Sequence, residues 1–304
     1  MIKLKHWLLL SRIPFLSVVL LPYILGALLA ANLTGIFSFK VFLLGLFASA
    51  LVQLGAHYNG EIYDIKEDRL SVDLEKNFFT GGSLILVEKL IPEKKVSFLS
   101  YGVIFLALII GVILQFYFKT GRWTIPLGVS GIICGFFYSK PPLRWVSRGA
   151  GEIFIAYAFG WLPVAAGFYL QASRFDLLST LISLPVACSV TNIILINEFP
   201  DYPADKLAGK QNILVRIGKE KGAVLYASLT VLAGLTFFYA VFRGSSFISA
   251  LFYMPVLIIA LRSAALMLKG SYKDRQKLER LCMMTILVSL GTSLSFILGI
   301  FFGR

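Results

Sequence analysis

The chain has 304 residues, of which 58% are hydrophobic and only 15% are charged, and its formal net charge is +13. This composition excludes an ordinary soluble domain and is typical of a protein that crosses a membrane several times. The positive charge does not require nucleic acid as a partner, because lysine and arginine anchor the cytoplasmic ends of membrane helices.

Nine apolar segments are long enough to cross a hydrocarbon core of roughly 30 Å as helices. In chain order they cover approximately residues 14–32, 38–58, 96–118, 123–138, 152–171, 177–198, 223–242, 246–266 and 282–302. The fourth segment is the shortest. We therefore predict an all-α fold, a polytopic membrane helical bundle of about nine spans, formed by residues 1–304 as a single domain.

Basic residues are divided unequally between the two ends of these spans. With a cytoplasmic N-terminus, 23 lysines and arginines lie on the cytoplasmic side, and the six on the outer side are Lys40, Lys119, Arg122, Arg174, Arg243 and Arg304. Because basic residues collect in cytoplasmic loops, we predict a cytoplasmic N-terminus and a C-terminus on the outer side.

Two acidic clusters stand at the cytoplasmic ends of the second and sixth spans. They superpose at a constant offset of 137 residues, as Gly60-Glu61-x-x-Asp64-x-x-x-Asp68-Arg69 and Asn197-Glu198-x-x-Asp201-x-x-x-Asp205-Lys206. Carboxylates are costly next to hydrocarbon and are usually kept there for a function. We interpret the clusters as two halves of one site for a polyvalent cation, facing the cytoplasm.

The two clusters differ in their expected local structure. In the first, spacings of three and four place the three carboxylates on one face if the helix of the second span continues through them. In the second, Pro200 and Pro203 disfavour a helix. We expect the sixth span to end or bend there and to turn its two aspartates toward the cavity.

The clusters offer oxygen donors without histidine or cysteine, a set that suits Mg²⁺ first and Mn²⁺ second. Mg²⁺ is usually held by few carboxylates together with phosphate oxygens, so the expected ligand is a diphosphate bridged between the clusters. Basic residues that could bind its oxygens on the same side are Arg69, Lys140, Arg144, Arg148 and Lys206.

A transporter or channel that binds Mg²⁺ or an organic phosphate is the alternative from another class. Such proteins usually place ionisable groups near the middle of the membrane. The central parts of the predicted spans carry no charged residue, and the acidic clusters lie at one side. This arrangement favours an enzyme.

The sequence resembles the UbiA superfamily of intramembrane prenyltransferases over nearly its whole length. The resemblance rests on the two acidic motifs and on the intervening Tyr138-Ser139-Lys140-Pro141-Pro142-Leu143-Arg144. Three stretches are most similar to the menaquinone branch, which prenylates 1,4-dihydroxy-2-naphthoate: Phe79-Thr80-Gly81-Gly82-Ser83, Arg148-Gly149-Ala150-Gly151-Glu152, and the run from Gly209-Lys210 to Arg216-Ile217-Gly218. Relatives with other acceptors, 4-hydroxybenzoate or geranylgeranylglyceryl phosphate, share parts of these stretches and remain alternatives.

The resemblance implies Mg²⁺-dependent transfer of a prenyl chain from an allylic isoprenyl diphosphate to an aromatic quinone precursor, at the cytoplasmic side of the cell membrane. The implied metal ligands are Glu61, Asp64, Asp68, Asn197, Asp201 and Asp205. The implied diphosphate contacts are Arg69, Lys140, Arg144 and Lys206. The four aspartates and Tyr138 are the implied catalytic residues, and the tyrosine ring is expected to face the allylic cation.

Two positions depart from the family's pattern. The family usually has an asparagine where this chain has Gly60, and the neighbouring Asn59 is turned by about 100° around a helix. We therefore expect Glu61 to bind the metal instead. Other members have a lysine four residues after the tyrosine, where this chain has a proline, so either Lys140 or Arg144 is expected to supply that charge.

Overall fold

The computed structural model describes residues 4–73 and 82–303, and every regular element among them is helical. The α-helices are α1 (Leu4–Ser11), α2 (Ser17–Thr34), α3 (Phe39–Tyr63), α4 (Ile65–Asp73), α5 (Glu93–Val112), α6 (Thr124–Ser139), α7 (Gly151–Ile155), α8 (Leu162–Ala172), α9 (Leu177–Ala208), α10 (Ile213–Phe242), α11 (Phe247–Leu268) and α12 (Arg275–Phe302). A π-helical segment, Ile113–Tyr117, extends α5, and a second one, Ala156–Trp161, joins α7 to α8. The prediction of an all-α fold is confirmed.

Eight helical stretches within the described ranges are long and apolar enough to cross a membrane. A further apolar helix, α6, has only 16 residues. These nine helices correspond to the nine predicted spans, and the shortest is the fourth, as the sequence indicates. The protein is therefore an integral membrane helical bundle.

The outer surface of the bundle carries many large apolar side chains. Phe98 is 81% exposed, Phe242 84% and Phe247 72%. Apolar patches of this extent are unfavourable in water, whereas a bilayer offers a hydrocarbon layer roughly 30 Å thick to cover them. The exposed residues thus mark the lipid-facing side of the helices.

Inside the bundle, α2, α8, α9, α10 and α12 pack around one apolar core. Phe237 stacks on Tyr253 and on Phe296, with ring centroids 3.7 and 4.0 Å apart. Helices α2 and α8 approach each other closely. A Cβ added at Gly26 of α2 or at Gly167 of α8 would overlap a backbone carbonyl of the other helix. Small residues permit such close packing between membrane helices.

Helix α9 runs through Pro200 and Pro203 and ends only at Ala208. Of the two expected alternatives, an end or a bend, an end of the sixth span at these prolines is therefore wrong. Phe199, next to the first proline, is completely buried in a cluster with Leu214 and other side chains of α10 and α12. This tertiary packing outweighs the local preference of proline against a helix. As a result, the second acidic cluster lies on a helix and not on a loop.

Candidate active site

The first acidic cluster lies across a short break between α3 and α4. Asp64 ends α3 with non-helical angles, φ −103° and ψ 12°, and α4 begins at the next residue. Backbone hydrogen bonds of 2.9 Å still connect Asp64 to Gly60 and Asp68 to Asp64. The helix is thus interrupted at its central aspartate, but the two segments remain joined.

Both clusters line one cavity of about 280 Å³. The structure brings together in its wall all six predicted metal ligands and Tyr138: Glu61, Asp64, Asp68, Tyr138, Asn197, Asp201 and Asp205. Two cations, Arg12 and Lys210, line the same cavity. The idea of one site shared by the clusters therefore agrees with the geometry.

Glu61 is held by three donors. Arg12 donates to its Oε1 at 2.8 Å, and Ser83 donates through its backbone N–H to Oε1 and through its hydroxyl to Oε2, both at 2.7 Å. Its role as a metal ligand stays a prediction. Asn59 is turned away and donates to the carbonyl of Phe136 at 2.7 Å.

Asp68 and Asp64 are held in different ways. The N–H of Gly82 donates to Asp68 at 2.6 Å, and the hydroxyl of Ser139 donates to Asp64 at 2.7 Å. Burial raises the pKa of Asp68 to about 7, and the charge of Glu61 adds to this, while the Gly82 N–H opposes it. Burial also raises the pKa of Asp64. A nearby cation would favour the charged form of both groups.

Gly82 and Ser83 belong to the stretch Phe79–Ser83 that resembles the menaquinone branch. Residues 79–81 lie outside the described residues, but the last two residues of the stretch contact Asp68 and Glu61. A Cβ added at Gly82 would overlap the Asp68 carboxylate. The backbone can approach this carboxylate closely because Gly82 has no side chain.

In the second cluster, Asp205 is bound by residues that follow α9. Lys210 Nζ lies 3.2 Å from one carboxylate oxygen, and Asn212 Nδ2 donates to the other at 2.7 Å. Burial alone would lower the pKa of Lys210, but the carboxylates of Asp205 and Asp64 outweigh this effect and raise it. Lys210 therefore carries a fixed positive charge inside the cavity.

Two of the stretches that resemble the menaquinone branch pack against each other at the start of α10. Glu152 accepts a hydrogen bond of 3.0 Å from the N–H of Ile213, one of the unpaired donors at the helix N-terminus. A Cβ added at Gly149 would overlap the Arg216 side chain. These stretches hold the Lys210 loop against the rest of the site.

The four predicted phosphate contacts lie in different places. Arg144 pairs with Glu67 at 2.5 Å and lies 3.6 Å from Asp64. Lys140 instead donates to the hydroxyl of Tyr101 at 2.8 Å. Of Lys140 and Arg144, it is Arg144 that lies at the first acidic cluster. The other two, Arg69 and Lys206, are exposed, and none of the four residues lines the cavity.

Neither cation of the cavity wall, Arg12 or Lys210, was predicted from the sequence as a phosphate contact. Lys210 lies in the run from Gly209 to Gly218 that resembles the menaquinone branch. The predicted phosphate contact, however, was Lys206, because it directly follows the second acidic motif. The turn after Ala208 explains the difference, since Gly209 takes a left-handed conformation with φ 76° and ends the helix. The backbone N–H of Lys210 then bonds to the carbonyl of Asp205 at 2.9 Å, which folds the lysine back to the cavity.

Tyr138 lies in the last turn of α6 and contributes to the cavity wall. A Cβ added at Gly151 would meet its ring at 3.2 Å, so the ring packs against the start of α7. Lys210 and Glu198 line the same cavity. The ring thus borders the same space as the acidic clusters.

The donor set of the cavity fits Mg²⁺. Asp64 Oδ1 and Asn197 Oδ1 are buried and accept no hydrogen bond from the described part of the chain, so an oxygen is available in each cluster. No group of three or more His, Cys, Asp and Glu side chains within the described ranges is close enough to hold a metal by itself. Mg²⁺ commonly completes its six ligands with water and phosphate oxygens, which agrees with two half-sites across a cavity.

A second cavity of about 160 Å³ adjoins the first. The two share wall residues Gln53, Ala56, Gly135, Ala158 and Phe159. The second cavity extends along α3 from Ala56 to Gly45, which is ~16 Å of helix. Its wall is mainly apolar, so a hydrophobic cavity adjoins the one that contains the charged groups.

Comparison with known proteins gives consistent matches. The model of the UbiA prenyltransferase family matches residues 19–290. A 1,4-dihydroxy-2-naphthoate octaprenyltransferase of Bacillus subtilis (strain 168) is 24% identical, covering 96% of this chain and 90% of that protein. A 2-carboxy-1,4-naphthoquinone phytyltransferase of Synechocystis is 27% identical, covering 72% of this chain and 68% of that protein.

Among solved structures, a UbiA homolog from Archaeoglobus fulgidus bound to DMAPP and Mg²⁺ has the same fold. It aligns with a TM-score of 0.64 at 17% identity and covers 96% of this chain and 99% of its own. The family model matches most of the chain, including both acidic clusters. The chain therefore belongs to the UbiA prenyltransferase family and is a prenyltransferase.

Proposed function

We propose that the protein transfers a prenyl chain from an allylic isoprenyl diphosphate to 1,4-dihydroxy-2-naphthoate, as a step of menaquinone biosynthesis. The observation that carries this proposal is the single cavity to which both acidic clusters contribute, together with the apolar cavity that adjoins it. The naphthoate acceptor is supported by the activities named for the B. subtilis and Synechocystis relatives. The donor class and Mg²⁺ are supported by the A. fulgidus homolog with DMAPP and Mg²⁺.

The six oxygen-bearing residues of the two clusters are the proposed metal ligands. Asp64 and Asn197 would contribute the buried oxygens that accept no hydrogen bond from the described residues. When bound, Mg²⁺ neutralises the charge that develops on the departing diphosphate. Mn²⁺ can replace it in the same oxygen site.

Lys210 and Arg144 are the cations best placed to bind the diphosphate. Lys210 lies beside Asp205 with 13% of its side chain exposed and offers a point charge. Arg144 is fixed by Glu67 and lies near Asp64, where its planar fork could reach phosphate oxygens. Roles for Arg69, Lys140 and Lys206 in diphosphate binding remain predictions.

The proposed reaction breaks the bond between C1 of the donor and the diphosphate oxygen. The electron pair leaves with the diphosphate, and the allyl group becomes positively charged. The ring of Tyr138 would stabilise this charge by about 0.5 to 2 kcal/mol. A new bond then forms between C1 and an electron-rich ring carbon of the acceptor. That carbon releases either a proton, taken up by water or by the released diphosphate, or its carboxylate as CO2, and the electron pair of the broken bond stays in the ring and restores its aromaticity.

We further propose that the cavity opens to the cytoplasm and that the chain acts as a single domain of the cell membrane. The unequal division of basic residues, 23 against six, supports this orientation.

The test is an assay of purified protein with geranylgeranyl diphosphate and 1,4-dihydroxy-2-naphthoate, with Mg²⁺ or with a chelator. Release of diphosphate and a prenylated naphthoate product, detected by mass spectrometry, are expected only with the metal. A product formed equally well in the chelator would contradict the metal-dependent mechanism. Release with 4-hydroxybenzoate but not with the naphthoate would overturn the acceptor assignment.

A further inference from the structure

Two glycines form part of the wall of the apolar cavity without a packing reason. Gly111 of α5 and Gly128 of α6 both line it, and a Cβ added at either would meet no atom within 4 Å. Two other glycines of the same wall differ: a Cβ at Gly135 would lie 2.9 Å from Ala56, and one at Gly45 would overlap Tyr23. Those two permit close packing, whereas Gly111 and Gly128 leave open space.

Backbone conformation does not require glycine at these positions either. Both glycines lie within helices, and neither has a positive φ. Glycine inside a helix is destabilising relative to alanine. Gly111 is half-buried and Gly128 is exposed, so the missing side chains leave open space at the edge of the cavity.

The position of Gly128 determines which part of the donor's isoprenyl chain would occupy this space. It lies seven residues before Gly135, which borders both cavities, and this separation is ~10 Å of helix. A diphosphate bound between the acidic clusters would therefore have its first isoprene units near Gly135. Only a longer chain would reach Gly128.

The wall suits a hydrocarbon chain. Its hydroxyl groups are already bonded within the protein: Ser49 donates to the carbonyl of Gly45 at 2.9 Å, and Thr124 pairs with Thr120 at 2.7 Å. An apolar chain can therefore enter without leaving these groups unsatisfied.

We propose that Gly111 and Gly128 are specificity-determining residues that allow this enzyme to accept isoprenyl diphosphates longer than the geranyl chain. This inference rests on the proposed prenyl transfer at the acidic clusters. It adds that the wall of the apolar cavity determines which chain lengths of the donor the enzyme accepts. The open wall at these glycines admits the distal isoprene units, and a large side chain at either position closes the space to them.

The test compares geranyl with geranylgeranyl diphosphate in wild type and in the separate variants Gly111→Leu and Gly128→Leu. We expect kcat/KM for the longer donor to fall at least about tenfold relative to the shorter one, a difference of about 1.4 kcal/mol. Activity with geranyl diphosphate should persist, which shows that the variants fold. Alanine variants replace leucine where leucine prevents folding, and they should show a smaller shift in the same direction.

Gly102→Leu is the matched control. Gly102 also lies in α5 and has open space around it, but it does not line the cavity. An unchanged donor ratio in both Gly111→Leu and Gly128→Leu would overturn the proposal, as would the same shift in Gly102→Leu. If the wild type forms no product, the proposed function fails separately, and donor length is then compared through the rise in Tm that each diphosphate produces.

Discussion

At the residue scale, Asp64 and Asp201 test most directly whether the two clusters form one site. Each is the central carboxylate of its cluster, and both line the cavity. We expect Asp64→Asn and Asp201→Asn each to lower kcat/KM at least about 100-fold, because each removes a charge that balances the metal and the leaving group. The assay is diphosphate release at a series of Mg²⁺ concentrations.

The melting temperature separates this effect from misfolding. It should stay within a few degrees of wild type, since the bundle is held by apolar packing elsewhere. Glu279→Gln is the matched control, because Glu279 only forms a weak pair of 3.8 Å with Arg275 at the start of α12. Full activity of both aspartate variants would refute a shared site.

Two lysines are candidates for binding the diphosphate: Lys206, predicted from the motif, and Lys210, which the structure places in the cavity wall. Substitution of each one distinguishes them. Lys210 lines the cavity, whereas Lys206 is exposed. We expect Lys210→Met to raise the KM for the donor about 10- to 100-fold, since a charge-assisted hydrogen bond is worth about 1.5 to 3 kcal/mol. Lys206→Met should have the smaller effect in steady-state kinetics with varied donor. An equal or larger rise in Lys206→Met would favour the assignment made from the motif.

The contrast between these lysines shows what the sequence could predict at this scale. Repeated carboxylates at fixed spacing predicted the residues of the cavity, because side chains on neighbouring helical turns remain on one side. The phosphate contacts were less predictable from motif position. Lys210 reaches the cavity only through the left-handed turn at Gly209, and Lys140 is bound to Tyr101.

At the element scale, the segment that begins at Gly82 contacts the first acidic cluster through its backbone. A Cβ at Gly82 would overlap the carboxylate of Asp68, so Gly82→Ala must displace either the segment or the aspartate. We expect about a tenfold or greater loss of kcat/KM, because a small misplacement of a site residue is costly to catalysis. Steady-state assays of the purified variant measure this loss.

Gly102→Ala is the control for this prediction. It adds the same methyl group where nothing lies within 4 Å. Its activity should equal that of wild type, and its melting temperature should be equal or higher, because alanine favours a helix. Wild-type activity in Gly82→Ala would show that this close contact is not needed.

The elements themselves were predictable where hydrophobic length decides them. Nine apolar segments predicted nine helices, and the structure has them. Local rules failed where tertiary contacts dominate: α9 continues through two prolines because Phe199 is buried, and α3 stops at Asp64 although no proline or glycine follows. Such interruptions at polar residues depend on partners from other helices, which a single sequence does not reveal.

At the scale of the whole molecule, the orientation in the membrane decides which compartment supplies the diphosphate. Helix α10 is kinked at Gly218, where φ is 81° and ψ is 162°, and the part that follows, residues 219–242, is ~36 Å long and exceeds a hydrocarbon core of roughly 30 Å. Lys206 and Arg243 lie beyond its opposite ends and are both exposed. Labelling these two positions therefore tests the orientation.

We expect a membrane-impermeant maleimide to label Arg243→Cys in intact cells and Lys206→Cys only in inverted membrane vesicles. The background should be low, because Cys134 and Cys282 are buried and Cys188 is half-buried. Labelling in the opposite sense would place the acidic clusters on the outer side, since Lys206 directly follows Asp205. The cavity would then face away from the side that the basic residues mark as cytoplasmic, and a donor made in the cytoplasm would have to cross the membrane before it could react.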